Sequence, residues 1–175
     1  MSDRTTALGA PSRFDAFALA SDGDEIAGTV DARRLPRVAD QLASGRAPAP
    51  LAWRIRGGKD AMARPMVTLS IDGEVPLVCQ RCLEPFAAPI AQQTALLLAH
   101  DESELARLDA EESEVVLAGT AVDPLRLVED ELLLSLPLSP RHREGECGAA
   151  SRAMPTGAKD SPFARLAGLK TRNPG

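Results

Sequence analysis

Three stretches of this chain alternate apolar and polar residues with a period of two, and that alternation restricts the fold more than any other feature. Leu51, Trp53 and Ile55 alternate with Ala52, Arg54 and Arg56 until Gly57-Gly58. Val67, Leu69 and Ile71 alternate with Thr68 and Ser70, and Asp72-Gly73 follows. From Phe86 to about Ala99 the same period runs through Ala88, Ile90, Gln92, Thr94, Leu96 and Leu98. A period of two places every second side chain against a core and its neighbours in water, which is the signature of half-buried strands. Asp-Gly between alternating runs favours a type I′ hairpin turn, so the sequence predicts a turn at Asp72-Gly73 and a returning strand from Glu74 to Cys79. Pro76 confines that strand to an edge or an early position, and Pro89 locally interrupts the long one. Strands joined by short turns pair antiparallel, because parallel pairing needs long crossovers.

Helical spacing appears twice. Leu35, Val38, Ala39 and Leu42 predict a short amphipathic helix over Arg34–Ala43, ended by Ser44-Gly45 and followed by an extended link with Pro48 and Pro50. Asp123-Pro124 reads as an N-cap and first helical residue. Leu125, Val128, Leu132 and Leu136, with Leu133 beside them, make the apolar face of the helix that follows. Glu129, Asp130 and Glu131 fall on the other side, and Pro137 and Pro140 stop it. Between these, Asp101–Ala110 reads as a surface loop or single helical turn, and Val115-Val116-Leu117 as a short strand closed by Gly119. The fold class is α+β: an antiparallel sheet built from hairpins, a short N-terminal helix, an acidic amphipathic helix near the C-terminal end, and flexible termini. Residues 1–13 read as a disordered N-terminus and 14–147 as a single domain. Residues 148–175 read as a flexible basic tail with a short apolar motif at 162–170.

Charge is partitioned. Residues 101–140 carry a net of −9, and residues 141–175 a net of +4, within an overall −5. The acidic helix and the basic end can each face a partner of opposite charge, or be solvated. Aromatic residues are 3% of the chain, too few for base-stacking platforms. No apolar run is long enough for a membrane span, and the N-terminus lacks the apolar stretch of a signal peptide, so a cytoplasmic location is expected.

The three cysteines carry the chemistry. Cys79-Gln80-Arg81-Cys82 lies at the end of a predicted strand, where a tight turn can aim two thiolates at one ion. His142 and Cys147 offer a second pair beyond the helix. Together they would make a closed Cys₃His set, structural and not catalytic, holding zinc. The alternative of bare reduced thiols stays open. A redox pair would need a βαβ setting, which a preceding hairpin does not provide. No phosphate loop or nucleophile elbow is present, and His100 reads as a surface residue. Three successive acids, Glu129 to Glu131, fan out by about 100° each on a helix and cannot converge on one proton or metal. They suit a face for a basic partner instead.

Cys79-Gln80-Arg81-Cys82-Leu83-Glu84-Pro85-Phe86, then Val128-Glu129-Asp130-Glu131-Leu132-Leu133-Leu134-Ser135-Leu136-Pro137, then Pro140-Arg141-His142 with Cys147 follow one another in the chain. Taken together these motifs resemble the YceD-like family, whose members are called large ribosomal RNA subunit accumulation proteins. The closing segment from Ser161 to Lys170 is similar to a short C-terminal motif of that family. The resemblance implies a bacterial, cytoplasmic, non-enzymatic factor supporting synthesis, processing or stability of large-subunit (23S) ribosomal RNA. The expected partner is then a precursor of that RNA or a ribosomal protein, with neither membrane nor DNA involved. Arg81, Arg141 and Arg143 are the candidate patch for RNA or a partner if the metal clip exists. The competing reading is a cysteine-dependent RNA-processing or redox enzyme.

Overall fold

The structure, a computed structural model, describes residues 11–45, 49–111 and 113–147. The expectations for residues 1–10, for Pro48 and for the 148–175 tail with its motif at 162–170 lie outside the described residues. The chain divides into two compact units, Met1–Arg141 and His142–Gly175.

In the first unit, α1 (Ala16–Asp22) and β1 (Glu25–Val30) precede a 3₁₀ turn (Ala32–Arg34) and the one-turn α2 (Pro36–Ala39). Then come β2 (Leu51–Lys59), β3 (Pro65–Val78), β4 (Pro85–Ala99), α3 (Glu102–Asp109), β5 (Val115–Leu117) and α4 (Pro124–Ser135). The five strands form one sheet in sequence order, antiparallel except for β5, which runs parallel to β4. The α+β class is as the sequence predicts. The parallel pair departs from the all-antiparallel expectation because Asp101–Ala110 is a two-turn helix, α3, and supplies the crossover that parallel pairing needs.

The turn predicted at Asp72-Gly73 does not exist. β3 runs straight through it, with Gly73 opposite Ile90, and the hairpin closes instead at Cys79–Glu84, beyond the Val78–Pro85 pair. Parity explains this. A two-residue turn would pair Ile71 with Glu74 and put Glu74, Pro76 and Val78 on the core side. The apolar residues of that run are Val75 and Leu77, which continue the odd-numbered face of Val67, Leu69 and Ile71, and all five are buried. Gly73 serves another purpose. A Cβ on it would stand 2.7 Å from Leu51 Cδ2, and its φ of +148° disfavours other residues.

Pro76 lies where the sequence places it, on an edge, because β2 pairs with β3 only as far as Asp72. Its carbonyl accepts a hydrogen bond from the Ala43 N–H (2.8 Å), so the backbone groups at this position point away from β4. Orientation repeats every second residue, so Glu74–Pro89 and Val78–Pro85 share it. Both β4 prolines therefore direct their missing N–H away from β3, and the ladder passes through them in unbroken register. Over Pro85–Ala95 no strand among the described residues pairs with the other side of β4.

β2 likewise continues past the predicted stop at Gly57-Gly58 to Lys59. Gly57 is a close approach and not an ending: a Cβ there would stand 1.9 Å from the Leu19 carbonyl oxygen of α1. The sequence pattern missed α1 and β1 altogether. α1 buries only Ala16, Leu19 and Ala20, a face too small to register as a period, although Asp15 caps it and Gly23 ends it at φ +67°. The helix predicted over Arg34–Ala43 shrinks to Pro36–Ala39 because proline pushes Leu35 into extended backbone. Leu35, Val38 and Ala43 are nevertheless buried.

The core lies on the odd-numbered face of β3 and is covered by α1, α2 and α4. A second, small cluster of Leu97, Ala99 and Leu108 packs α3 on the other face. α4 has the predicted cap and start: Asp123 accepts from Leu125 N–H, and Pro124 is the first helical residue. Its buried face is turned from the predicted one, comprising Leu127, Val128, Glu131 and Leu132, while Leu125 is 37% exposed. Glu129 and Glu131, expected on the solvated side, are buried. For Glu129 the cause lies ninety-two residues upstream. Arg37 donates to Glu129 from its backbone N–H (2.8 Å), Nε (3.1 Å) and Nη2 (2.8 Å), and its Nη2 also meets Asp130 at 2.6 Å. Burial alone would raise the Glu129 pKa, but the hydrogen bonds from Arg37 outweigh it and hold the carboxyl below its ordinary value.

A depressed carboxyl stabilises the fold above its unfolded pKa, and that contribution is lost as pH falls through the folded one. Glu129→Gln is therefore expected to lower the melting temperature by about 5 °C at pH 7. The gap between variant and wild type should close as pH drops below the ordinary 4.5. Thermal melts from pH 7 to pH 3 check this, and a gap that persists at acid pH would assign the loss to packing.

Candidate metal centre

The β3–β4 connection is a knuckle. Cys79 N–H donates to Glu84 O (3.0 Å), and Leu83 N–H returns to Cys79 O (2.8 Å), which folds six residues into one tight loop. Within it the Arg81 N–H points at Cys79 Sγ at 3.5 Å. An amide aimed at a sulfur stabilises thiolate over thiol, the form that a metal takes. Leu83, directly after Cys82, sits at φ +62° although it has a Cβ, and its side chain is 74% exposed. Left-handed backbone at a bulky residue costs on the order of 1 kcal/mol and persists only where the surroundings impose it. Here the turn that brings Cys82 back beside Cys79 imposes it. Cys79 is buried, Cys82 half-buried, and neither is bridged. The chain end of the same unit is tied to this loop, since Gln80 N–H donates to Pro140 O at 2.8 Å.

In the second unit, Arg143–Glu146 is a turn closed by the Glu146 N–H to Arg143 O bond (3.1 Å), with Gly145 at φ +87°. It returns Cys147 to His142, their Sγ and Nδ1 atoms 3.7 Å apart. Two ligands of one tetrahedral zinc are separated by about 3.5 Å, so the spacing suits such an ion. The four residues singled out by sequence sit close together: their ligand atoms all lie within 4.8 Å of one another and could hold a metal ion.

The other candidate residues fare differently. Arg81, Arg141 and Arg143 are exposed. Arg141 directly follows Pro140 and so stands beside the knuckle in the first unit. Asp130 is partly exposed, and Glu129 and Glu131 are not available as an open acidic face. Other acids of the −9 segment are also engaged. Glu111 meets Arg64 (2.7 Å) and Arg107 (3.3 Å), and Asp101 and Asp123 cap α3 and α4. His100 is a surface residue, stacked on Phe17 with ring centroids 3.8 Å apart and bonded through Nδ1 to Glu104 at 3.1 Å. The His100 backbone N–H and ring together pull the Glu104 carboxyl below its ordinary range. Among the described residues no helix is long and apolar enough to cross a membrane.

Comparison with known proteins gives two matches and one absence. The family described as "Large ribosomal RNA subunit accumulation protein YceD" matches residues 67–170. A curated protein of Haemophilus influenzae with that same description is 33% identical over 118 residues, covering 57% of this chain. The match spans 62% of that relative's own length. No solved structure matches the chain.

Leu83→Gly should raise the melting temperature by a few degrees, about 2–5 °C, because the exposed side chain contributes little packing and glycine accepts positive φ. Leu83→Val should lower it. A calorimetric scan of the two variants decides, and a glycine variant less stable than wild type would show that the side chain itself is needed.

Proposed function

Because this chain belongs to the YceD family of large ribosomal RNA subunit accumulation proteins, we propose that it is a non-enzymatic accessory factor for large-subunit (23S) ribosomal RNA. It supports the synthesis, processing or stability of that RNA in the cytoplasm. The family match over residues 67–170 carries this reading. The partner is a precursor of the RNA or a ribosomal protein, and Arg81 and Arg141 beside the knuckle, with Arg143 of the second unit, are the first candidates to meet it. Exposed guanidinium groups near a rigid turn suit phosphate or carboxylate oxygens.

The metal is zinc in a structural role, held by Cys79, Cys82, His142 and Cys147. Three sulfurs and one imidazole match the softness and number of donors that zinc prefers, and a closed set of four leaves no position for water. The amide already aimed at Cys79 Sγ supports the same reading. Bound zinc would supply no chemistry beyond fixing these side chains. The sulfurs lose their protons on binding, so affinity falls in acid.

Two measurements test the proposal. Deleting the gene should lower the ratio of large- to small-subunit ribosomal RNA, and the wild-type chain should restore it. An unchanged ratio would end the accessory-factor reading. Freshly purified protein should contain about one zinc per chain. Cys82→Ser or a chelator should remove the zinc and lower the melting temperature by about 10 °C or more. A cysteine-dependent enzyme predicts otherwise: Cys82→Ser would abolish a turnover and leave the melt nearly unchanged.

A further inference from the structure

We infer that Arg13, Arg126 and Arg34 form a ridge that docks the phosphodiester backbone of RNA, on the helix-covered side of the first unit. The inference rests on the ribosomal-RNA reading and adds residues that touch the RNA, apart from those at the knuckle.

Two shallow grooves flank the first turns of α4. One, of about 360 Å³, runs between Arg13, Ala121, Asp123 and Arg126. The other, of about 560 Å³, runs between Arg126, Asp123, Leu125, Arg34 and Arg37. Arg126 lines both and so stands on the divide. The backbone fixes each guanidinium's origin. Phe14 and Val122 exchange both N–H to O bonds (2.9 and 2.8 Å), which pins Arg13 to the strand entering α4, and Arg13 Nη1 donates to Ala121 O at 3.2 Å. Arg34 closes the 3₁₀ turn whose N-cap is Asp31. Arg126 lies in the first turn of a twelve-residue helix, near the positive end of its dipole.

The acids bordering these grooves are already engaged. Glu129 and Asp130 are held by Arg37, and Asp123 accepts from the Leu125 N–H at 2.9 Å. Arg13, Arg34 and Arg126 are exposed and make no ion pair among the described residues. Counting Arg37, four guanidinium groups border these grooves against the carboxylates of Asp123, Glu129 and Asp130, so the start of α4 is slightly positive in a chain of net charge −5, and three of the four have no ion-pair partner among the described residues. A phosphodiester strand presents one charge at each nucleotide, so it can meet all three without any side-chain pocket, and each planar fork can bind a phosphate through two hydrogen bonds. Arg37 differs: it locks α4 and is not part of the docking set.

The test uses the purified full-length chain and a fluorescein-labelled RNA duplex of about 20 base pairs, titrated between about 50 and 200 mM KCl. The triple variant Arg13→Gln, Arg34→Gln, Arg126→Gln is expected to bind about 10- to 100-fold more weakly at the lower salt. Its log affinity against log salt should be less steep by about two to three. Arg56→Gln, on the other face of the sheet, should match wild type. Equal affinity and slope in the triple variant would overturn the inference, as would a wild-type chain that does not bind the duplex. Tighter binding to a polyglutamate peptide than to the duplex would reassign the ridge to an acidic protein. If the triple variant melts early, the Arg34→Gln, Arg126→Gln pair leaves the Arg13–Ala121 contact intact and carries the same comparison. A ridge that binds RNA while gene deletion leaves the ribosomal RNA ratio unchanged would stand without the functional reading. The reverse pattern would sink the ridge alone.

Discussion

The β3–β4 ladder is the constraint on which the rest of the first unit depends. It runs from Met66–Leu97 to Val78–Pro85 without a slip, so the odd face of β3 and the even face of β4 are the same face. A shift of one residue would turn Val67, Leu69, Ile71, Val75 and Leu77 out into water. Each of these side chains is worth about 2 kcal/mol when buried, so the register is strongly specified. The ladder also determines where the cysteines go. Its last pair leaves six residues to reverse direction, and those residues hold the CxxC.

α4 closes the other side of the core by an unusual division of labour. An apolar stripe of Leu127, Val128 and Leu132 anchors it to the sheet, while Arg37 takes up the acids beside that stripe. The helix looks like an acidic face in isolation because its counter-charge is supplied by a segment far away in sequence. That arrangement leaves the neighbouring arginines, Arg34 and Arg126, outside any ion pair among the described residues.

Much of this was legible in the residues. β2, β4 and β5, the α4 cap with its proline, and the pairing of Cys79 with Cys82 at a strand end all follow from local pattern. The hairpin turn was misplaced because Asp72-Gly73 is a strong local signal, and only the parity of Val75 and Leu77 argues against it. The pattern also missed α1 and β1, whose few small buried residues carry almost no periodic signal. No local rule could find Arg37 with Glu129, or the grooves that Arg126 shares with Arg13 and with Arg34, because each joins segments separated by long stretches of chain. The proximity of Cys79 and Cys82 to His142 and Cys147 was inferred from chemistry, since four soft donors in one chain suggest one ion before any coordinate does.

The flank of β4 that pairs with no strand among the described residues bears on behaviour in a crowded cell. Eleven residues of strand whose second side pairs with no strand among the described residues are the kind of template on which another copy could extend a shared sheet, and such flanks seed fibres. Every second amide along it faces outward, and Pro85 and Pro89 delete two of those from the half nearest the knuckle. A foreign strand laid there finds a broken row of donors and cannot zip past it. Backbone chemistry alone thereby discourages self-polymerisation along that stretch, and it does so without spending a single charged side chain.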